Sequence, residues 1–78
     1  MPRTDFVPNL RSLECLRATI ATGSATGAAQ QLGLSQPAVS RLLAVLERSV
    51  GFPLFDRRKG RLVPTQEALA FSREADIA

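Results

Sequence analysis

The sequence predicts a mainly α-helical fold with a two-stranded β-hairpin inserted before its last helix. Apolar residues recur three and four positions apart over several segments, which is the spacing of one face of a helix. Ser24, Ser35 and Thr65 precede such segments, where a hydroxyl can cap a helix. The stretch FPLFDRRKGRLVP, residues 52–64, instead contains short apolar runs on either side of a Lys-Gly turn, which is typical of a hairpin.

The first two helices each end at a glycine. A first helix is predicted over about 10–22, and Gly23 closes it. Ser24 is expected to cap a short second helix over about 25–32, which Gly33 ends in the left-handed conformation. The apolar stripe of the first helix consists of Leu10, Leu13, Leu16 and Ile20.

The third helix is predicted over about 36–50, with Ser35 as its cap and Gly51 at its end. Pro37 is the second helical residue, where its missing N–H is not needed, so the capping bond is expected from the N–H of Ala38. The buried stripe is predicted to be Val39, Leu42, Leu43, Leu46 and Val50. The solvent-facing side bears Gln36, Ser40 and Arg41.

The hairpin is predicted to contain two strands, at about 54–57 and 61–63, joined by the Lys-Gly turn. A last helix follows over 66–78, because Thr65 is placed to cap it and an acidic residue in its first turn complements the helix dipole. The element order is therefore helix, helix, turn, helix, hairpin, helix.

Composition excludes several kinds of chemistry. A chain of 78 residues forms one small domain, and its lone Cys15 cannot form an internal disulfide. Without histidine, neither a Cys/His zinc site nor a histidine-activated nucleophile can be assembled, and the carboxylates are scattered over separate elements. We therefore expect no catalytic residue, no metal site and no cofactor. The amino-terminal residues MPRTDFVPNL lack the apolar core of a signal peptide, and no apolar run approaches the ~18 residues that cross a bilayer. We therefore expect a cytoplasmic protein with no membrane contact.

Positive charge is concentrated in one part of the chain. Residues 35–61 hold six basic and two acidic side chains, a net charge of +4, whereas the rest of the chain has a net charge of −1. A local excess of this kind is typical of proteins that bind a polyanion, because each neutralised phosphate releases counterions. The alternative is a solvated face that only keeps the protein soluble.

The second and third helices have the spacing of a helix-turn-helix over about 25–44. Ala29 is small where the two helices cross, and Gly33 supplies the positive φ of the turn. The apolar residues expected to pack the two helices are Leu34, Val39 and Leu42. An ordinary helical hairpin is the alternative at this point. The basic hairpin that follows, the wing at about 54–63, favours a winged helix-turn-helix, because such a ribbon can lie along a phosphate backbone or enter a minor groove.

The stretch ATGSATGAAQQLGLSQPAVSRLLAVLERSVGFPLFDR, residues 21–57, resembles the amino-terminal DNA-binding domain of LysR-type transcriptional regulators. The shared features are the Gly-Ser opening, the paired alanines, the Ser-Gln-Pro-Ala-Val-Ser-Arg start of the third helix, the Leu-Glu pair and the Gly-x-x-Leu-Phe-x-Arg entry to the wing. Residues 1–8 contain Pro2, Pro8 and few apolar side chains, so we expect a flexible arm there. The resemblance covers about residues 9–78 and implies a DNA-binding domain at 9–64 and a truncated linker and dimerisation helix at 65–78. It also implies a missing effector domain, through which alone a small-molecule effector would act.

As a DNA-binding domain, the chain is expected to insert the first turns of its third helix into the major groove. The Gln36 amide can pair bidentately with adenine, and the Arg41 guanidinium can reach guanine or a phosphate. Hydroxyls at helix starts suit phosphate oxygens, and basic residues of the wing suit the backbone or the minor groove, with capping or solvation as the alternative for each. The candidate DNA-binding residues are Ser24, Ser35, Gln36, Pro37, Ala38, Ser40, Arg41, Arg57, Arg58, Lys59 and Arg61.

The last helix is expected to join two copies of the chain into a homodimer. A two-fold pair would place two third helices on inverted half-sites of double-stranded DNA about one helical turn apart. The candidate dimerisation residues form a stripe of small and apolar side chains, namely Ala68, Leu69, Phe71, Ser72 and Ala75. The alternative function is a basic module that binds a protein or a membrane surface.

Overall fold

The computed structural model describes residues 10–77, and the side chains of residues 10–74. The elements are α1 (Leu10–Thr22), α2 (Ala25–Leu32), α3 (Gln36–Val50), β1 (Phe55–Arg58), β2 (Arg61–Pro64) and α4 (Gln66–Ile77). The mainly helical class and the order of the elements are confirmed. The predicted arm at 1–8 lies outside the described residues. Within residues 10–77, no helix is long and apolar enough to cross a membrane.

The predicted caps are present at the helix ends. Ser35 Oγ accepts the N–H of Ala38 at 3.2 Å, as the position of Pro37 in the first turn requires. Gly33 and Gly51 end α2 and α3 with φ of 71° and 83°, a conformation that glycine adopts without a Cβ clash. Local sequence chemistry therefore sets the bounds of these helices.

The core lies where α1, α2 and α3 meet, and it is closed by one residue before β1 and one residue of α4. The buried apolar side chains are Cys15, Leu16, Ala18, Ala28, Ala29, Val39, Leu43, Leu46, Leu54 and Ala68. Burial in this core raises the pKa of the Cys15 thiol above its ordinary value, since the charged thiolate is disfavoured away from water. Of the predicted stripe of α3, Leu42 and Val50 are partly buried against this core.

The two strands pair antiparallel and form the wing, residues 55–64, which lies one residue later than predicted at each end. Its turn has consecutive positive φ values, 51° at Lys59 and 77° at Gly60, as in a type I′ hairpin turn. Leu54 lies just before β1, because its N–H binds a side chain of α3 and its own side chain lies in the core.

The wing is attached to the turn between α1 and α2. Leu62 donates its N–H to the carbonyl of Gly23 at 3.1 Å, so the Leu62 pair with Arg57 is a non-hydrogen-bonded pair of the ladder. Because such pairs alternate along antiparallel strands, the pair of Phe55 with Pro64 is also of this kind, and the missing N–H of proline costs nothing there.

Candidate nucleic-acid interface

The turn between α2 and α3 is tight and closely packed. Ala29 is only 5% exposed, and its carbonyl accepts the N–H of Leu34 at 2.9 Å across Gly33. A larger side chain at position 29 has no space between the two helices. The geometry is the one that the helix-turn-helix prediction requires, and it presents the start of α3 at the surface.

The first turns of α3 carry exposed polar side chains. Gln36, Pro37, Ser40 and Arg41 are exposed, and Ala38 is half-buried. Gln36 donates from Nε2 to Ser40 Oγ at 3.2 Å, so the amide and the hydroxyl lie side by side on one face of the helix. The structure therefore brings Gln36 and Ser40 together, and Arg41 is exposed one residue beyond Ser40.

The start of α2 lies beside this face. Ser24 Oγ accepts the N–H of Gly27 at 2.8 Å, which caps α2 as predicted. Ser24 lines the same groove as Gln36 and Ser40, although it lies twelve and sixteen positions before them in the chain. Two predicted hydroxyls and one amide thus converge on a single surface.

An open groove of about 400 Å³ runs between the start of α2, one side of α3 and the wing. Arg57 is the basic side chain that lines it, and in the hairpin Arg57 shares a face with Leu62. The residues that line this groove, which we call the α3–wing groove, are Ser24, Ala25, Thr26, Gln36, Ser40, Leu43, Ala44, Glu47, Phe55, Arg57, Gly60 and Leu62.

The other bases of the wing do not face the α3–wing groove. Arg58 lies on the opposite face of the hairpin, and its Nη2 is 3.7 Å from Oδ2 of Asp56. Arg61 shares that face in the strand register, but its guanidinium extends to the turn at Gly23. Lys59 lies at the exposed tip. The four bases that form one cluster in the sequence thus have four different surroundings.

Glu47 is a residue of the site that the sequence analysis did not select. Its Oε2 accepts the backbone N–H of Leu54 at 2.7 Å, and the side chain lines the α3–wing groove. The sequence contained two signals, an acidic residue inside the basic segment and its place in the Leu-Glu pair shared with the family. Its hydrogen-bonding partner lies seven residues away across a turn, so helical periodicity does not reveal it.

The α4 residues assigned to dimerisation do not form one open stripe. Ala68 is fully buried in the core, so its assignment to an exposed contact is corrected. Phe71 packs edge-to-face on Phe52 with a centroid distance of 6.4 Å, and it contacts the core. Leu69 is 37% exposed and Ser72 is half-buried, whereas the side chain of Ala75 lies outside the described residues. Helical periodicity identified the apolar stripe of α4, but Ala68 and Phe71 of this stripe pack on the rest of the domain.

Comparison with known proteins decides the class of this fold. Residues 10–69 match the family profile described as "Bacterial regulatory helix-turn-helix protein, lysR family". The chain belongs to the LysR family. The match spans the segment from α1 into α4, so this LysR-type helix-turn-helix domain includes the α3–wing groove and the start of the last helix. The family resemblance and the winged helix-turn-helix class predicted from sequence are confirmed.

Relatives of this LysR domain are transcriptional regulators. It is 49% identical over 67 residues to the HTH-type transcriptional regulator DgcR of a Pseudoalteromonas species, covering 86% of this chain and 23% of that protein. It is 44% identical over 70 residues to the octopine catabolism/uptake operon regulatory protein OccR of Rhizobium meliloti, covering 90% of this chain and 24% of that protein. The chain therefore spans about a quarter of the length of these curated relatives.

A solved structure with the same fold contains DNA. The DNA-binding domain of CbnR in complex with DNA superposes with a TM-score of 0.83 at 29% identity, covering 88% of this chain and 79% of that one. The LysR domain described here thus has the fold of a DNA-binding domain, and the alternative of a protein- or membrane-surface module is not favoured.

Proposed function

We propose that this LysR domain binds double-stranded DNA with sequence preference and inserts the start of α3 into the major groove. The observation that carries the proposal is the exposed Gln36, Ser40 and Arg41 surface on the first turns of a capped helix, beside a basic wing. The chain is then the DNA-binding part of a transcriptional regulator, with a binding role and no catalytic one.

Base contacts belong to the first two turns of α3. The Gln36 amide offers both a donor and an acceptor, which matches the N6 and N7 pattern of adenine. Arg41 offers the forked donors that suit guanine, and it is exposed on the outer side of the helix. Pro37 and Ala38 supply apolar surface to a thymine methyl group.

Phosphate contacts surround these base contacts. Ser24 and Ser35 cap the starts of α2 and α3, and hydroxyls and backbone N–H groups at helix starts suit phosphate oxygens. Arg57 reaches the backbone from inside the α3–wing groove. The bases on the tip and outer face of the wing, Arg58, Lys59 and Arg61, continue the positive surface along the duplex or into the minor groove.

Two copies of the chain act together on inverted half-sites. One helix in the major groove contacts few base pairs, so a dyad-related pair supplies the specificity that one copy lacks. Residues 9–64 form the DNA-binding unit and residues 65–78 the linker helix, and Leu69 is the exposed large apolar side chain among the described residues of that helix. A regulator of this kind acts where the genome is, in the bacterial cytoplasm, and a small-molecule effector would act through a separate effector domain.

Selection from a pool of random duplexes tests the function. We expect a pseudo-palindromic site whose half-sites are about one helical turn apart, bound more tightly than a scrambled duplex of equal length and salt. Vesicles of anionic lipid serve as the control ligand. Enrichment of no sequence, or binding to vesicles as tight as to duplex, would contradict the proposal and favour a general basic surface.

A further inference from the structure

Glu47 links α3 directly to the entry of the wing. Its Oε2 accepts the N–H of Leu54 at 2.7 Å, a short hydrogen bond that the carboxylate charge strengthens. Leu54 is fully buried, and its carbonyl accepts the N–H of Thr65 at 3.0 Å. Both backbone groups of Leu54 are therefore held, one by α3 and one by the residue that caps α4.

Arg57 lies three residues beyond this anchor point. A two-stranded hairpin is marginally stable by itself, so its direction depends on what holds its base. The opposite strand is attached at the carbonyl of Gly23 through Leu62, the residue that pairs with Arg57. With β1 tied at Leu54 and β2 tied at Leu62, Arg57 lies in the α3–wing groove that Gln36 also lines.

The charge of Glu47 opposes the ligand of this groove. A carboxylate beside the path of a phosphate backbone repels it, so on electrostatic grounds alone the loss of Glu47 would strengthen DNA binding. If Glu47 instead orients the wing, its loss would weaken binding because Arg57 would no longer be held in place. The two roles predict effects of opposite sign.

We propose that Glu47 is a positioning residue for DNA binding, whose carboxylate holds Leu54 so that Arg57 faces the same stretch of backbone as the start of α3. This role rests on the proposed function and deepens it. Glu47, although acidic, thereby favours the binding of a polyanion. It acts through its hydrogen bond to Leu54 and through the position of Arg57.

A double-mutant cycle on the selected duplex tests the role. Glu47→Ala and Arg57→Ala are each expected to lower affinity by about tenfold. The double variant is expected to lose about tenfold in total, rather than the roughly hundredfold of independent sites. Glu47→Gln keeps an oxygen that can accept the N–H of Leu54 and removes the repulsive charge. It is expected to bind at least as tightly as the unmodified chain.

Amide hydrogen exchange supplies a readout that does not involve DNA. In Glu47→Ala the Leu54 N–H is expected to exchange faster while the amides of α1 keep their rates. Glu47→Asp, which retains the charge but withdraws the oxygen by one methylene, serves in the cycle if the alanine variant does not fold. The loss of affinity expected for Glu47→Asp is likewise not additive with the loss expected for Arg57→Ala.

Two results would overturn the role of Glu47. One is an additive cycle with Arg57, and the other is tighter binding by folded Glu47→Ala, which would leave only the electrostatic effect. Both differ from failure of the proposed function, in which the unmodified chain itself would not distinguish the selected duplex from a scrambled one. That result would remove the role of Glu47 together with the function.

Discussion

The guanidinium of Arg61 lies against Gly23, so that a Cβ added to Gly23 would come within 3.1 Å of Nη2. The same glycine has φ of +77° and accepts the N–H of Leu62, which makes it the point where the wing meets the α1–α2 turn. Glycine is therefore favoured at position 23 for two reasons, its backbone conformation and the close approach of Arg61. Mutation can separate the contribution of each to stability.

Gly23→Ala is expected to lower the free energy of unfolding by about 1–2 kcal/mol, mainly through its left-handed backbone. Gly33→Ala is the matched control, since its φ is +71° and a Cβ there meets nothing within 4 Å. Urea unfolding of both, with and without Arg61→Ala, measures the difference. A Gly23→Ala cost several times that of Gly33→Ala would contradict a mainly backbone effect. Loss of that excess in the Arg61→Ala background would assign it to the Arg61 contact.

Gly27→Ala is expected to destabilise the domain, although alanine normally stabilises a helix by about 1 kcal/mol relative to glycine. A Cβ at position 27 would lie 2.8 Å from Cβ of Thr22 and 3.0 Å from Oγ of Ser24, so the α1–α2 corner must shift. We expect a net loss of roughly 1 kcal/mol, measured by urea unfolding. Adding Thr22→Gly should make the two changes non-additive, and a more stable Gly27→Ala variant would contradict the prediction.

Arg41→Ala is expected to cost ~1–3 kcal/mol of specific binding and to relax preference at one base pair per half-site. The reason is its exposed position on the outer side of α3, away from the buried Leu43 and Leu46. Affinities for the selected and scrambled duplexes are compared at fixed salt, with Arg73→Ala on α4 as the control. Equal losses of affinity for both duplexes would show that Arg41 contacts only a phosphate and no base.

Neutralising Arg58, Lys59 and Arg61 together is expected to weaken binding to selected and scrambled DNA about equally. Each lost phosphate contact should reduce the slope of log K against log salt by roughly 0.9. Restoring Arg58 alone is expected to recover less than restoring Lys59, because Asp56 lies 3.7 Å from Arg58. Titrations over a salt series provide the slopes, and an unchanged slope would show that these side chains do not contact the backbone.

Leu69→Asp is expected to abolish binding of two chains per duplex while the fold persists, because Leu69 is partly exposed on α4. Phe71→Asp is expected to destabilise the fold itself, since Phe71 packs on Phe52. Sedimentation with a palindromic duplex gives the stoichiometry, and circular dichroism reports the fold. One chain per duplex at saturating concentration of the unmodified protein would rule out the dimer.

The sequence by itself determined the helices of this protein and the residues at the start of α3. Ser35, Pro37 and Gly51 act through bonds and backbone angles within a few residues, so their pattern specifies where α3 begins and ends. The Lys-Gly turn likewise indicated a hairpin, because Gly60 readily takes the positive φ that a two-residue turn requires, and Lys59 adopts it beside the glycine. The family resemblance also lay in this continuous stretch, and the family profile confirmed it.

Only the tertiary structure decided which residues share a surface. Ser24 and Arg57 join Gln36 in one groove, Glu47 binds Leu54, and Ala68 is buried instead of exposed. Each of these contacts depends on how separate elements pack, and neither helical periodicity nor net charge contains that information. Local hydrogen bonding therefore determines where the helices and strands begin and end. Packing between these elements determines which base of the wing faces the α3–wing groove and which face of α4 remains exposed.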